Sequence, residues 1–167
     1  LVEQPNRDFG HTLMRSFLFD AWHGPMLAAL ERSSDAEIAA IAQKAGKEAA
    51  YHLDRSAGTV IALGDGTDES HRRMQAALDR LWPYVDELFE RDAVDDALIA
   101  DGIVPDPDEL RPAFDANMAR LAEATLTIPS GTYAQTGGRS GRRHSEHLGH
   151  LLAQMQFLQR AYPGASW

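Results

Sequence analysis

The chain has no cysteine, which excludes disulfides and thiolate-held metals and fits a cytoplasmic setting. It also lacks any apolar run of the roughly 18 residues needed to cross a membrane, and its opening, Leu1-Val2-Glu3-Gln4-Pro5-Asn6, is not signal-like. A soluble, untargeted protein is the expectation. Positive charge is in deficit, with 16 Lys and Arg against 25 Asp and Glu and a net charge of -9. No broad basic face is therefore available to release phosphate counterions, and general nucleic-acid binding is excluded. Alternating strand-like runs are short, and there is no Gly-x-Ser-x-Gly elbow for a nucleophile. Gly64-Asp65-Gly66 follows a helical pattern, where phosphate-binding glycines would follow a strand. What is abundant is Ala, Leu and helical periodicity. At 167 residues this predicts one all-α domain with a real core.

Ser34 to Leu63 reads as one long helix, with Ser34 as cap, Glu37 completing a capping box and Gly64 ending it. Ile38, Ile41, Ala45, Ala49, Ser56 and Leu63 share one side, with Glu48 and His52 on or beside it. Those two ionisable groups are expected to point inward and to need partners. The preceding helix, Gly10 to Arg32, is apolar nearly all round, should kink at Gly24-Pro25, and turns Asp20 toward the helix that carries Glu48. A third helix is predicted from Thr67 or Asp68 to Phe89, with Met74, Leu78, Leu81, Val85 and Leu88 as its core stripe and Pro83 kinking it. A short acidic helix then spans Asp92 to Ala100, and Asp106-Pro107 starts another that carries Phe114 and Met118. Thr125 to His144 turns extended and then glycine-rich, with Arg139, Arg142 and Arg143 forming the one basic cluster. The last helix, capped by Ser145, buries Leu148, Leu151, Leu152, Met155 and Leu158 on this reading, and shows Glu146, His150 and Phe157 on its other side.

A di-iron carboxylate bundle requires Glu-x-x-His pairs on two helices, and none occurs in the chain. The nearest approach is Glu48-Ala49-Ala50-Tyr51, with His52 one residue late. Asp20, Glu48, Tyr51 and His52 thus read either as a degenerate metal site or as a buried cluster of ion pairs and hydrogen bonds. Glu146, His147 and His150 have the spacing to hold a divalent ion at one helix end, against the reading of a polar terminus that meets a neighbour. Arg139, Arg142 and Arg143 read as a clamp for a phosphate or a CoA tail, or as a solvated loop.

Several segments carry a resemblance: Leu1 to Asn6, Asp20-Ala21-Trp22-His23, Lys47-Glu48 with Tyr51-His52-Leu53, and Leu63 to Thr67. Leu81-Trp82 with Glu87-Leu88-Phe89, His144 to Gly149, Gln154 to Arg160 and Tyr162 to Trp167 complete the set. In order and over the whole chain they resemble the family of C-type subunits of the bacterial ring-1,2-phenylacetyl-CoA epoxidase. The resemblance implies a ferritin-like helical bundle that performs no chemistry and supports a related A subunit, which holds the di-iron centre. It also implies a separate reductase with NADPH, FAD and Fe–S, and self-association beside the contact with the A subunit. Glu146, His150, Phe157 and Trp167 are the expected partner contacts. Against that family the first pair of bundle helices is missing, which would make residues 1–167 the carboxyl-terminal two-thirds of a longer subunit with an uncovered face. A self-sufficient di-metal oxidase or hydroxylase is the rival expectation.

Overall fold

A computed structural model describes residues 1–131, 133–139 and 141–166. Its order is α1 (Phe9–Leu30), α2 (Ala36–Gly64), α3 (Asp68–Leu81), α4 (Ala93–Ala100), α5 (Arg111–Met118), α6 (His147–Met155) and α7 (Phe157–Ala161). No strand occurs among the described residues, and the chain forms the all-α, ferritin-like helical bundle expected of it.

The starts of α1, α2, α3 and α4 each follow from a short polar side chain that satisfies amide hydrogens the helix leaves unpaired. Asp8 accepts from the His11 amide, and Thr67 forms a reciprocal capping box with Ser70 at the head of α3. At α2 the cap is Asp35, one residue later than predicted. Asp35 accepts from the amides of Glu37 and Ile38 at 2.9 and 3.1 Å. Ser34 is drawn elsewhere, donating its hydroxyl to the Asp101 carbonyl at 2.8 Å and its amide to the Gly102 carbonyl at 2.9 Å. Ser33 adds a 2.7 Å bond to the Ile103 carbonyl. The α1–α2 corner is thereby tied to the loop after α4.

The predicted third helix stops early. Pro83 has no amide hydrogen for the Asp79 carbonyl, so α3 ends at Leu81 and the chain continues as two tight 3₁₀ turns, Trp82–Tyr84 and Asp86–Phe89. These turns still deliver Val85 and Phe89 to the core. α1, in contrast, runs on through Pro25.

The core lies where α1, the second half of α2, α3 and α5 meet. Met14, Phe17 and Leu18 of α1 pack with Val60 of α2, Met74 and Leu78 of α3, and Phe114 of α5. Gly64 marks a close approach within this core, since a methyl group there would stand 2.7 Å from the Ala124 side chain. The outer half of the α1–α2 hairpin has a thinner seam, in which Leu27 meets Ala42 and Ala49. There α2 packs through alanines, and the neighbouring face is left bare. Ile41, predicted to be core, is 64% exposed, and Glu48 and His52 are exposed too. Ile41 and Glu48 fall one residue to the side of the 42, 49, 56 ridge, which is about 100° around the helix.

The largest departure is at the carboxyl end. The last helix breaks at Gln156, and the stripe predicted to be core lies open, with Leu151 43%, Met155 75% and Leu158 48% exposed. The periodicity is that of a buried face, yet no element of the described chain covers it. α6 and α7 form an arm that begins against the body at Leu148, which is half-buried, and then leaves it.

Candidate functional site

Asp20 is the one acidic side chain in the buried set. It sits on α1 where that helix faces the 56 position of α2, and its Oδ2 accepts the Ser56 hydroxyl at 2.8 Å. Burial pushes the Asp20 carboxyl up from its ordinary value, while Ser56, His52 and His23 pull it back down. Burial likewise pushes His23 down, with Asp20 opposing. A cavity of about 240 Å³ opens beside the carboxylate, lined by Leu13, Ser16, Asp20, His52, Arg55 and Ser56.

The predicted quartet is therefore only half assembled. Asp20 and His52 share this cavity, but Glu48 and Tyr51 point to solvent, Tyr51 at 64% exposure. The expectation of an inward Glu48 is corrected: the alanine ridge of α2, not the 41, 48, 55 row, is what α1 covers. The hydrogen-bond partner of Asp20 is Ser56, which lies outside the predicted quartet. As donors, these residues do not fit a two-iron centre, because one carboxylate is buried and the second carboxylate and the tyrosine face outward. Among the described residues no group of three or more His, Asp or Glu converges in a way that could hold a metal ion, at Glu146, His147 and His150 included.

The raised Asp20 carboxyl has a consequence for stability. The folded state holds this proton more tightly than the unfolded chain does, so the contribution is full below the unfolded value of about 3.8 and is lost as pH rises through the folded value. Asp20→Asn keeps an acceptor for Ser56 and removes the charge. Its stability relative to the parent should be level below about pH 3.8, rise as pH climbs from there through the raised folded value, and level off above it, measured by urea unfolding at each pH. A constant difference across that range would contradict this.

The basic loop is stitched to the body. Arg139 pairs with Asp95 at 2.6 Å, donates to the Leu88 carbonyl at 3.3 Å, and its amide donates to Glu87 at 3.0 Å. The Gln135 amide adds a bond to the Pro83 carbonyl. Arg139 is thus committed to internal contacts. Arg142 and Arg143 line a cavity of about 510 Å³ that also holds Glu90, Asp92 and Asp95, so acids stand among the cations.

Glu146, His150 and Phe157 all lie on the arm and all are exposed, Phe157 at 61%. The expectation for Trp167 falls outside the described residues. Ser145 does not cap α6 as expected, and α6 has no side-chain cap of its own. Instead Glu3, from the far end of the chain, accepts the Ser145 amide at 2.7 Å and pairs with His144 at 2.8 Å. Burial opposes ionisation of Glu3, but the Ser145 amide and the His144 ring outweigh it and hold the carboxyl below its ordinary value. Sequence reasoning missed Glu3, because a pairing over 142 residues leaves no periodic trace.

On α1, Phe19, Trp22 and His23 form a ring cluster with centroids 5.1 to 6.4 Å apart. Phe19 and Trp22 wall an apolar groove of about 350 Å³ together with Leu1, Val2 and Leu88. No described helix is long and apolar enough to cross a membrane.

Comparison with known proteins agrees with this architecture. The family described as Phenylacetic acid catabolic protein matches residues 1–167. The chain is 48% identical over 168 residues to the C component of the 1,2-phenylacetyl-CoA epoxidase of Escherichia coli (strain K12), a match that covers 100% of this chain and 67% of that protein. Identity at that level, sustained along the full sequence, places the chain in the phenylacetic acid catabolic protein family.

Proposed function

We propose that this chain is a non-catalytic, structural subunit of the multicomponent oxygenase that epoxidises the ring of phenylacetyl-CoA in cytoplasmic phenylacetate catabolism. Its role is to support the catalytic subunit, which holds the di-iron centre, while the nicotinamide, flavin and iron–sulfur groups belong to a reductase. The observation that carries this reading is the state of the would-be ligand position. The single buried carboxylate there is satisfied by a serine, and Glu48 and Tyr51 are turned away from it.

The exposed apolar stripe of α6 and α7 supports a partner-facing role, since large contiguous apolar surface on a folded chain marks an interface. The resemblance of the chain to a protein named as one subunit of an epoxidase supplies the class of partner. Self-association is read in the same experiment. The test is co-expression with the catalytic subunit, followed by mass measurement of what elutes together and iron analysis of this chain purified alone. A mixed complex and an iron-free single chain are expected. About two irons per isolated chain would overturn the proposal in favour of a self-sufficient di-metal oxidase.

A further inference from the structure

The root of the α6–α7 arm is closed by one carboxylate from the opposite end of the chain. Glu3 Oε2 accepts the Ser145 amide, Glu3 Oε1 meets His144 Nδ1, and α6 begins two residues later with no side-chain cap. The carboxylate thus stands just ahead of the first turn of α6, where the positive end of the helix dipole favours a negative charge. Glu3 is itself held, because Arg15 of α1 donates to the Gln4 carbonyl and to the Asn6 side chain. Tyr84, Glu87 and Arg143 line the same cavity as Glu3 and His144.

Beyond its root the arm meets the body lightly. A gap of about 290 Å³ lies between His147, His150 and Leu151 on the arm and Arg15 and the Val2 to Asn6 segment on the body. From Leu151 onward the described arm side chains are exposed. The direction of the arm is therefore set where it starts.

We propose that Glu3 is a positioning residue, a latch whose carboxylate fixes the direction in which the α6–α7 arm leaves the body and so presents its apolar stripe to a partner. The consequence for assembly rests on the docking role proposed above, whereas the latch itself is a property of the isolated chain. The two can fail separately.

The test is hydrogen exchange, resolved by peptide, on the full chain at neutral pH. Glu3→Ala should speed exchange of amides in residues 146–162 by at least about tenfold and leave α1, α2 and α3 unchanged, because the bonds to the Ser145 amide and the His144 ring, which fix the segment leading into α6, are lost together. Glu3→Gln should show a smaller increase, since its carbonyl still accepts the Ser145 amide. His144→Ala should show the smallest, since the amide bond to Glu3 remains. Parent-like exchange of residues 146–162 in Glu3→Ala would overturn the latch, as would acceleration spread equally over α1 to α3 in both Glu3 variants. An arm loosened as expected, with capture of the catalytic subunit undiminished, would uphold the latch and overturn its consequence for assembly.

Discussion

Phe114→Ala should lower the unfolding free energy by about 3–5 kcal/mol, more than any other single truncation named for this chain. Phe114 has no solvent exposure. Its ring meets Phe89 edge-on at 5.2 Å and 76°, and Trp82 at 6.5 Å. Those two aromatics stand on the 3₁₀ turns that Pro83 forces after α3, so Phe114 is what joins α5 to an otherwise irregular segment. Arg111 covers the far side of the Phe89 ring at 3.6 Å and cannot move into the vacated volume without burying its charge. Since small domains have only about 5–15 kcal/mol in hand, the variant should melt many degrees lower. Urea unfolding checks it, and a loss under about 1 kcal/mol would mean the surrounding side chains collapse into the space.

Placing two charges on the arm, as Leu151→Asp with Leu158→Asp, should weaken capture of the catalytic subunit by about 100-fold or more, the scale of losing central apolar anchors from an interface. The same variant should keep its own stability within about 0.5 kcal/mol, because both side chains are already 43% and 48% exposed. That separation is what makes the experiment informative, since a buried leucine could not be charged without unfolding the chain. Val94→Asp on α4, an exposed position at 65%, serves as the control and should bind as the parent does. Binding retained by the double variant would remove the arm from the interface. Loss confined to Phe157→Asp would move the contact to the other side of the arm.

Periodicity made most of the helical frame legible, because an apolar side chain every third or fourth position has one economical use in water. Met74, Leu78, Leu81 and Val85 were all legible as core in this way, and all are buried. The same signal misled at Leu148 to Leu158, since periodicity records that a face is to be covered and not by which molecule. It misled also at Ile41 and Glu48. On a helix with alanines at 42, 45 and 49, two adjacent ridges look equally apolar, and the close approach of α1 selects the one with smaller side chains. Within the candidate site, Asp20 was legible from its place on an apolar face. Its partner Ser56 was passed over because a hydroxyl satisfies a carboxylate without the charge that draws attention to a histidine.

The corner between α1 and α2 depends on three main-chain oxygens, those of Asp101, Gly102 and Ile103, which receive the hydrogens of Ser33 and Ser34. Such a fastening is blind to side-chain identity. Asp101 and Ile103 are free to be exchanged for most other residues, provided Gly102 keeps its φ of +69°. Adding or removing a single residue in that stretch would shift the oxygens out of register and unhook the distal tip, leaving it with only its alanine seam. Tolerance to replacement at Asp101 and Ile103 should therefore coincide with intolerance to length change in the same stretch.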